Sequence, residues 1–271
     1  MNLDEATRAL ATAGIDNPRG EARLLLAAAL GISREDTLTL REISSEEKNW
    51  LRQFVERRVS REPLAYITGH REFWSLNFEV GPGVLVPRPD TETLIEEALR
   101  LVPDRSAPLR IADLGTGSGA ILIAALTEFP NATGIGFESS PDAFEWASCN
   151  AKRLMPARAE IRLADWDQAR GPFDLIFSNP PYVASGEIES LEPDIAQFEP
   201  RGALDGGSDG LSAYRSLAEL LPGLLKPGGH ALLEIGFGQA QAVEKLFPKL
   251  EILRIAPDLS GIPRCVILRK A

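Results

Sequence analysis

The chain has 271 residues, of which 44% are hydrophobic and 25% are charged, and its formal net charge is −10. This composition is typical of a globular protein, and the length accommodates one large domain or a small domain followed by a larger one. Proteins that bind nucleic acid usually carry an excess of Lys and Arg, because neutralising phosphates supplies most of the binding free energy. The acidic balance therefore argues against general nucleic-acid binding.

The sequence carries no sign of export or of membrane insertion. It begins without a basic region leading into an apolar run, and it has no stretch of 18 apolar residues. We therefore expect a cytoplasmic protein with no membrane association. Cys149 and Cys265 lie far apart and outside any Cys-x-x-Cys or Cys/His cluster, so we expect two buried, reduced thiols and no metal.

Residues 1–72 have the signals of a small helical domain. Asn17 before Pro18 is typical of a helix N-cap followed by proline at the first helical position. Ser44 and Glu47 have the spacing of a capping box ahead of another apolar helical pattern. Residues 73–86 then alternate as short strands, with the glycines and proline at 81–83 as a turn, and predict a β-hairpin linker.

Residues 87–271 have the pattern of an α/β domain, in which apolar strands alternate with helical segments such as 120–129 and 141–153. The predicted strands are 110–114, 133–137, 160–164, 173–178, 230–235, 251–255 and 264–268. This alternation predicts a mostly parallel sheet with helices on both faces. Such sheets bind ligands beyond the carboxyl ends of their strands.

A glycine-rich loop, residues 115–119, follows the first of these strands and opens a helix. Glycine lets the backbone turn tightly and approach a ligand closely, as phosphate and nucleotide sites at helix N-termini require. Gly115, Gly117 and Ala120 also satisfy the dinucleotide fingerprint, and a tight turn without a ligand is the plainer alternative. The loop therefore predicts a nucleotide-like cofactor without deciding which one.

Acidic residues at two strand ends complete a candidate adenosine pocket. Glu138 ends the second strand at about the spacing where a carboxylate holds ribose hydroxyls, in nicotinamide enzymes and methyltransferases alike. Asp165 and Trp166 end the third strand, where the carboxylate would accept from an adenine amino group and the indole would pack on the ring. Trp166 is also compatible with core packing.

The Asn-Pro-Pro-Tyr motif at residues 179–182 follows the fourth strand. Consecutive prolines lack backbone donors and hold the preceding residue extended, so the Asn179 side-chain oxygen and the Pro180 carbonyl can both accept from one planar –NH2 group. Accepting both protons aims the nitrogen lone pair at a methyl donor, and Tyr182 offers a flat packing face. A rigid strand-ending loop is the alternative. After a glycine loop, the motif predicts methyl transfer from S-adenosylmethionine to an amide or exocyclic amine.

Further sequence blocks surround these motifs. They are residues 63–69 (Pro-Leu-Ala-Tyr-Ile-Thr-Gly), 86–92 (Val-Pro-Arg-Pro-Asp-Thr-Glu) and 199–204 (Glu-Pro-Arg-Gly-Ala-Leu). Together with 113–119 and 178–182, they make the chain resemble, nearly end to end, the release-factor branch of the HemK/PrmC family of protein-(glutamine-N5) methyltransferases. The first two blocks argue against the sister enzymes that modify a ribosomal protein.

The resemblance implies a seven-stranded Rossmann-like class I methyltransferase sheet, its last strand antiparallel, after a helical domain and a hairpin. It implies methyl transfer from S-adenosylmethionine, leaving S-adenosylhomocysteine, to the glutamine of the Gly-Gly-Gln loop in class-1 peptide-chain release factors. The candidate cofactor-binding residues are then Gly115, Thr116, Gly117, Ser118, Gly119, Glu138, Asp165, Trp166 and Asn179. The candidates for holding and activating the glutamine are Asn179, Pro180, Pro181 and Tyr182. The family usually has Asp where Glu138 stands.

Two other functions stay open at this point. An N6-adenine or N4-cytosine methyltransferase would keep the Asn-Pro-Pro-Tyr chemistry, but it would need a basic groove and usually a base-reading domain. A nicotinamide oxidoreductase or a non-catalytic binding module would use the glycine loop and leave residues 179–182 unexplained.

Several charged side chains have no assigned role in these motifs. Arg88, fixed between two prolines, is predicted to help place the methionine end of the cofactor or the loop over it, whereas His70 and His230 are predicted to pack. A basic cluster is predicted to be a solvated helix face in preference to a site for an acidic partner. Its members are Arg52, Arg57, Arg58, Arg61 and Arg71.

Overall fold

The computed structural model describes residues 1–39 and 42–271. Its helices are α1 (Leu3–Thr12), α2 (Pro18–Leu30), α3 (Ser45–Val59), α4 (Leu64–Thr68), α5 (Glu92–Leu101), α6 (Ala120–Glu128), α7 (Pro141–Leu154), α8 (Pro193–Phe198), α9 (Ser212–Leu224) and α10 (Ala240–Glu244). Its strands are β1 (His70–Phe73), β2 (Leu76–Glu79), β3 (Arg110–Leu114), β4 (Thr133–Glu138), β5 (Ala159–Leu163), β6 (Phe173–Ser178), β7 (Leu225–Glu234), β8 (Glu251–Pro257) and β9 (Pro263–Arg269).

The described chain forms two compact units. The helical unit contains Met1–His70 and Glu192–Phe198, and the α/β unit contains Arg71–Leu191 and Glu199–Ala271. The predicted boundary near residue 72 lies close to the end of the first segment. The sequence gives no sign that 192–198, over a hundred residues later, belongs to the helical unit.

The helical unit is held together by the apolar faces of α1, α2 and α3, which bury leucines such as Leu10, Leu25 and Leu51. The Asn17 side chain accepts from the Gly20 amide at the start of α2, with proline at the first helical position, as predicted. The predicted capping box at α3 is present too, with the Ser44 hydroxyl accepting from the backbone of its partner glutamate. These local signals fix where the helices begin, and burial of their apolar faces stabilises them.

The basic cluster is not a solvated face throughout. Arg58 is buried and pairs with Glu21 at 2.6 Å and with Asp194 at 2.7 Å. Arg61 donates a hydrogen bond of 2.8 Å to the Ala13 carbonyl. The prediction was therefore wrong for these two arginines, because their partners come from parts of the chain that are distant in sequence.

The predicted hairpin exists, but its turn lies elsewhere. β1 and β2 are joined by Trp74 and Ser75, whose φ angles are 52° and 58°. Positive φ at both central residues matches the twist of a tight hairpin, and here it is supported by a 2.7 Å hydrogen bond from the Trp74 amide to Glu92. The glycines at 81 and 83 follow β2 instead, where Gly81 packs against the Trp146 ring.

The α/β unit is built on a seven-stranded sheet with the order β5-β4-β3-β6-β7-β9-β8. Neighbouring strands from β5 to β7 are parallel, and β9 runs antiparallel to both β7 and β8. The predicted fold is confirmed, including the antiparallel last strand. Chain order reverses between β3 and β6, so their carboxyl ends form the switch point at which such sheets bind ligands.

Two further expectations meet different outcomes. Cys265 is buried in β9 as predicted, but Cys149 is exposed, because it lies on the solvent side of the amphipathic helix α7. In the described part of the chain, no helix is long and apolar enough to cross a membrane.

Candidate active site

The loop after β3 turns sharply because three of its glycines adopt left-handed backbone angles. The φ angles of Gly115, Gly117 and Gly119 are 75°, 56° and 82°, a region that other residues enter only at a cost. The amides of Gly115 and Thr116 both donate to the carbonyl of Phe137 in β4, which fixes the loop to the neighbouring strand. The N-cap residue of α6 is Gly119, which has no side chain with which to cap the first turn of the helix.

Glu138 stands at the end of β4, across from this loop. It is only 8% exposed, and its two carboxylate oxygens accept from the backbone amides of Gly117 and Ser140, each at 2.9 Å. Burial raises the pKa of Glu138, while these amide hydrogen bonds work in the opposite direction. Each oxygen keeps a further lone pair, so the carboxylate can still accept from a ligand hydroxyl.

Asp113 is a buried acid that the motif analysis passed over. It is fully buried at the end of β3 and accepts a 2.6 Å hydrogen bond from the Thr116 hydroxyl. Burial raises its pKa to about 7, and the nearby Glu138 charge adds to the shift. The acid therefore braces the glycine loop from beneath.

Asp165 and Trp166 follow β5 and differ in exposure. Asp165 is exposed, and its carboxylate accepts from the Trp166 amide at 2.6 Å, which begins a short 3-10 turn. Trp166 is half-buried, packs against the central core and lies beside Gly115. Both of the alternatives considered for this indole are thus compatible with its position.

The Asn-Pro-Pro-Tyr loop leaves β6 next to the glycine loop. The buried Ser178 hydroxyl donates to the Leu114 carbonyl at 2.7 Å, which joins the carboxyl ends of β6 and β3. Asn179 is half-buried, and its Nδ2 atom donates to the Thr91 hydroxyl oxygen at 3.4 Å. Pro180 is buried. The two motifs identified in the sequence therefore meet at one edge of the sheet.

A buried carboxylate, Glu234, holds this loop from the other side. It ends β7, is 1% exposed, and accepts from the hydroxyls of Thr91 at 2.6 Å and Tyr182 at 3.1 Å. Burial raises the pKa of Glu234, while the Thr91 hydrogen bond and the Arg264 charge oppose the shift. Burial and the Glu234 charge raise the pKa of Tyr182 well above its ordinary value, so its hydroxyl keeps its proton.

A second clamp acts on the backbone after the motif. The Gln239 side chain donates to the carbonyls of Tyr182 at 2.9 Å and Gly210 at 3.3 Å, and accepts from the Gly236 amide at 2.9 Å. A short parallel bridge pairs Val183 with Asp205. These contacts fix the exit of the loop.

These elements enclose a cavity of about 460 Å3, within the range of sites for small molecules. The predicted residues that line it are Gly115, Thr116, Gly117, Ser118, Glu138, Asp165, Trp166, Asn179 and Pro181. The predicted residues outside the lining are Gly119, Pro180 and Tyr182. The expectation that the Tyr182 ring packs on the acceptor therefore stays a prediction, since its hydroxyl is turned to Glu234.

Two of the sequence blocks also contribute lining residues to which the motif analysis gave no role. Thr91 and residues 86–88 lie in the block 86–92, which Leu85 directly precedes, and Pro200, Gly202 and Ala203 lie in the block 199–204. Arg88 lines the cavity and pairs with Glu199 at 2.7 Å. The sequence gives one indication that Glu234 has a role in the site, namely that an acid ends an otherwise apolar strand.

The remaining candidates do not converge on the cavity. His230 lies in β7, and burial lowers its pKa. His70 is exposed at the start of β1, so the prediction that it packs was wrong. Arg71 donates to the Pro87 carbonyl at 3.1 Å. Among residues 1–39 and 42–271, no group of three or more His, Cys, Asp or Glu side chains is arranged to hold a metal ion.

Similarity to known proteins covers the whole chain. A family model described as the PrmC N-terminal domain matches residues 2–69, and one described as a methyltransferase domain matches residues 106–241. A release factor glutamine methyltransferase of Rhodospirillum rubrum is 44% identical and covers 99% of this chain and 84% of its own length. Another, of Caulobacter vibrioides, is 44% identical, with 95% and 91% covered. The chain belongs to the release factor glutamine methyltransferase family.

A solved structure extends the likeness of the fold. A methyltransferase from Pyrococcus furiosus has a TM-score of 0.52 and 20% identity, over 81% of this chain and 98% of that one. As a member of the release factor glutamine methyltransferase family, the protein is an S-adenosylmethionine-dependent methyltransferase. The site fits that cofactor, because the cavity joins a left-handed glycine turn, a buried carboxylate and an indole.

Proposed function

We propose that the protein methylates the N5 side-chain amide of the glutamine in the Gly-Gly-Gln loop of class-1 peptide-chain release factors, in the cytoplasm. The observation that carries the proposal is that Asn179 and the glycine loop line one cavity, at the switch point of the sheet. Full-length similarity to release factor glutamine methyltransferases supports the choice of acceptor.

The residues around the glycine loop would hold the cofactor. Glu138 would accept the ribose hydroxyls, Trp166 would pack on the adenine, and Asp165 would accept from its amino group. When bound, S-adenosylmethionine supplies an electrophilic methyl group whose leaving group is the neutral thioether of S-adenosylhomocysteine. Glu138 is one carbon longer than the aspartate usual in the family, and its two backbone hydrogen bonds hold it in place.

The Asn-Pro-Pro-Tyr loop would hold the acceptor. An amide nitrogen is a weak nucleophile, because its lone pair is delocalised into the carbonyl. Asn179 Oδ1 and the Pro180 carbonyl would accept its two protons, which fixes the group and favours a geometry with the lone pair directed at the methyl carbon. Pro181 lines the cavity together with Asn179, and the two consecutive prolines give the loop its stiffness.

Tyr182 has a supporting part in this mechanism. Its raised pKa keeps the hydroxyl protonated, so it serves as a hydrogen-bond donor to Glu234 and not as a base. The nitrogen proton can leave after methyl transfer, when the methylated amide nitrogen is strongly acidic. The residues of the site therefore act by orientation and hydrogen bonding, with no covalent intermediate.

Nucleic acid is the acceptor in the competing proposal, since exocyclic amines of adenine and cytosine present the same –NH2 geometry. The net charge of −10 counts against it, because a duplex-binding methyltransferase needs cationic contacts to phosphate. No separate observation in the described structure favours this alternative.

The two proposals are separated by a methyl-transfer assay with labelled S-adenosylmethionine. Purified release factor is offered beside a variant whose loop glutamine is replaced by alanine, and beside unmethylated DNA. We expect label on the unaltered factor alone. Label on the alanine variant would move the accepting residue elsewhere, and label on DNA with none on the factor would overturn the choice of substrate.

A further inference from the structure

Asn179 can perform its proposed task in one of its two amide orientations only. When Oδ1 faces the cavity, Asn179 accepts a hydrogen bond from a substrate –NH2 group. When Nδ2 faces the cavity, two donor groups face each other and no hydrogen bond forms. Asparagine oxygen and nitrogen have nearly the same shape, so packing alone selects neither orientation. The hydrogen-bond partners of the amide must decide between them.

One such partner is Thr91, whose hydroxyl oxygen lies 3.4 Å from Asn179 Nδ2 and 2.6 Å from Glu234 Oε2. A hydroxyl has one proton to give. Glu234 is a buried carboxylate that accepts a hydroxyl at each oxygen, from Thr91 and from Tyr182, with Arg264 nearby. The Thr91 proton is therefore directed to Glu234, and only lone pairs face Asn179.

The helix context supports this reading of the Thr91 hydroxyl. Thr91 is the N-cap residue of α5, a position where threonine usually accepts a backbone amide of the first turn. Here the side chain makes no capping hydrogen bond. Thr91 is only 4% exposed, and its hydroxyl is hydrogen-bonded to Glu234 and Asn179 instead.

We propose that Thr91, oriented by Glu234, is a positioning residue that sets the Asn179 amide with Oδ1 towards the acceptor and thereby selects an –NH2 donor. The inference rests on the proposed function, because it assigns the selection of that acceptor group. Two consequences follow. The turnover number depends on the Thr91 oxygen, and discrimination between an amide and a carboxylate at the acceptor position depends on it too.

The decisive variants are Thr91→Val, Thr91→Ser and Thr93→Val. Valine keeps the shape of threonine and removes the hydroxyl, and serine restores it. Thr93 provides a matched control on α5, since it is buried and has no side-chain hydrogen bond within the described residues. Melting temperature and the Kd of S-adenosylmethionine are measured first for each variant, so that a folding defect is recognised.

Methyl transfer to release factor is then measured at saturating cofactor. We expect Thr91→Val to lower kcat by about tenfold or more, with KM for the factor within about threefold, because one orienting hydrogen bond is lost. Thr91→Ser should recover kcat to within about twofold of the wild type, and Thr93→Val should leave it unchanged.

A second measurement tests amide orientation directly. Release factors with Glu or Ala in place of the loop glutamine are used as inhibitors, and the ratio of their inhibition constants is compared between enzymes. The wild type should bind the Glu factor about tenfold more weakly than the Ala factor, since Oδ1 faces a carboxylate. In Thr91→Val the ratio of the two inhibition constants should shrink, because the Asn179 amide is then free to turn Nδ2 towards the carboxylate of the Glu factor.

The outcomes separate the inference from the proposed function. A wild-type enzyme that methylates no release factor defeats the function itself. An active wild type, with Thr91→Val equal to Thr93→Val in kcat and with an unchanged inhibition ratio, overturns the role of Thr91 alone. Loss of activity that serine does not recover also overturns it, since the shape of the whole threonine side chain, and not its hydroxyl, would then be what the site requires.

Discussion

Gly210 offers a sharp test of whether the exit of the Asn-Pro-Pro-Tyr loop must be held in place. Its φ angle is 71°, and a Cβ added there would lie 2.4 Å from the Tyr182 carbonyl oxygen and 2.7 Å from Gln239 Nε2. Ordinary contact begins near 3.4 Å, so the Gly210→Ala substitution requires a movement of 3.4 − 2.4, about 1 Å. The same movement disturbs the 2.9 Å hydrogen bond from Gln239 to Tyr182.

Gly261→Ala is the matched control. Its φ is 81°, and no atom lies within 4 Å of the added Cβ. Both substitutions place alanine in the left-handed region, which costs roughly 1–2 kcal/mol and lowers the melting temperature by roughly 2–8 °C. Only Gly210→Ala also displaces the loop, and a misplacement of about 1 Å costs on the order of a hundredfold in rate.

The assay is single-turnover methyl transfer to release factor, with cofactor affinity measured by calorimetry. We expect Gly210→Ala to lose about a hundredfold in rate with a cofactor Kd close to that of the wild type, and Gly261→Ala to stay within about twofold. A folded Gly210→Ala protein that turns over as fast as Gly261→Ala would show that the loop tolerates the shift, and would refute the reasoning.

Three other substitutions test separate parts of the site. Asn179→Ala should lower single-turnover rate by about 10²–10³-fold while changing cofactor Kd far less, and equal losses in both would contradict its role. Glu138→Gln should weaken cofactor binding at least tenfold in calorimetry, because one of its two backbone amides then faces an –NH2 group. Asp113→Asn should make the cofactor-free protein progressively more stable than wild type as pH rises. Burial raises the pKa of Asp113 from its ordinary value of 3.8 to about 7. The protonated side chain therefore stabilises the fold fully below pH 3.8, and this stabilisation is lost as the pH rises through 7. Thermal unfolding at pH 6 and pH 8 should show the difference growing by about 1.4 kcal/mol, and a difference independent of pH would exclude this assignment.

The sequence by itself determined the parts of this protein that depend on local chemistry. Strand and helix positions in the α/β unit follow from apolar periodicity, and β3 and β6 begin and end where predicted. The glycine loop was recognisable because only glycine enters the left-handed region freely, three times within five residues. The Asn-Pro-Pro-Tyr loop was recognisable because, directly after a strand, its residue types predict two acceptor oxygens for one –NH2 group.

Only the tertiary structure decided which distant residues meet. Thr91 and Glu234 are 143 positions apart, and their 2.6 Å hydrogen bond exists because α5 and β7 pack together. Arg58 was expected in solvent, and it is buried because Glu21 and Asp194 reach it from elsewhere in the chain. Local sequence fixes backbone preference and residue chemistry, whereas a buried polar group is defined by partners that only folding supplies.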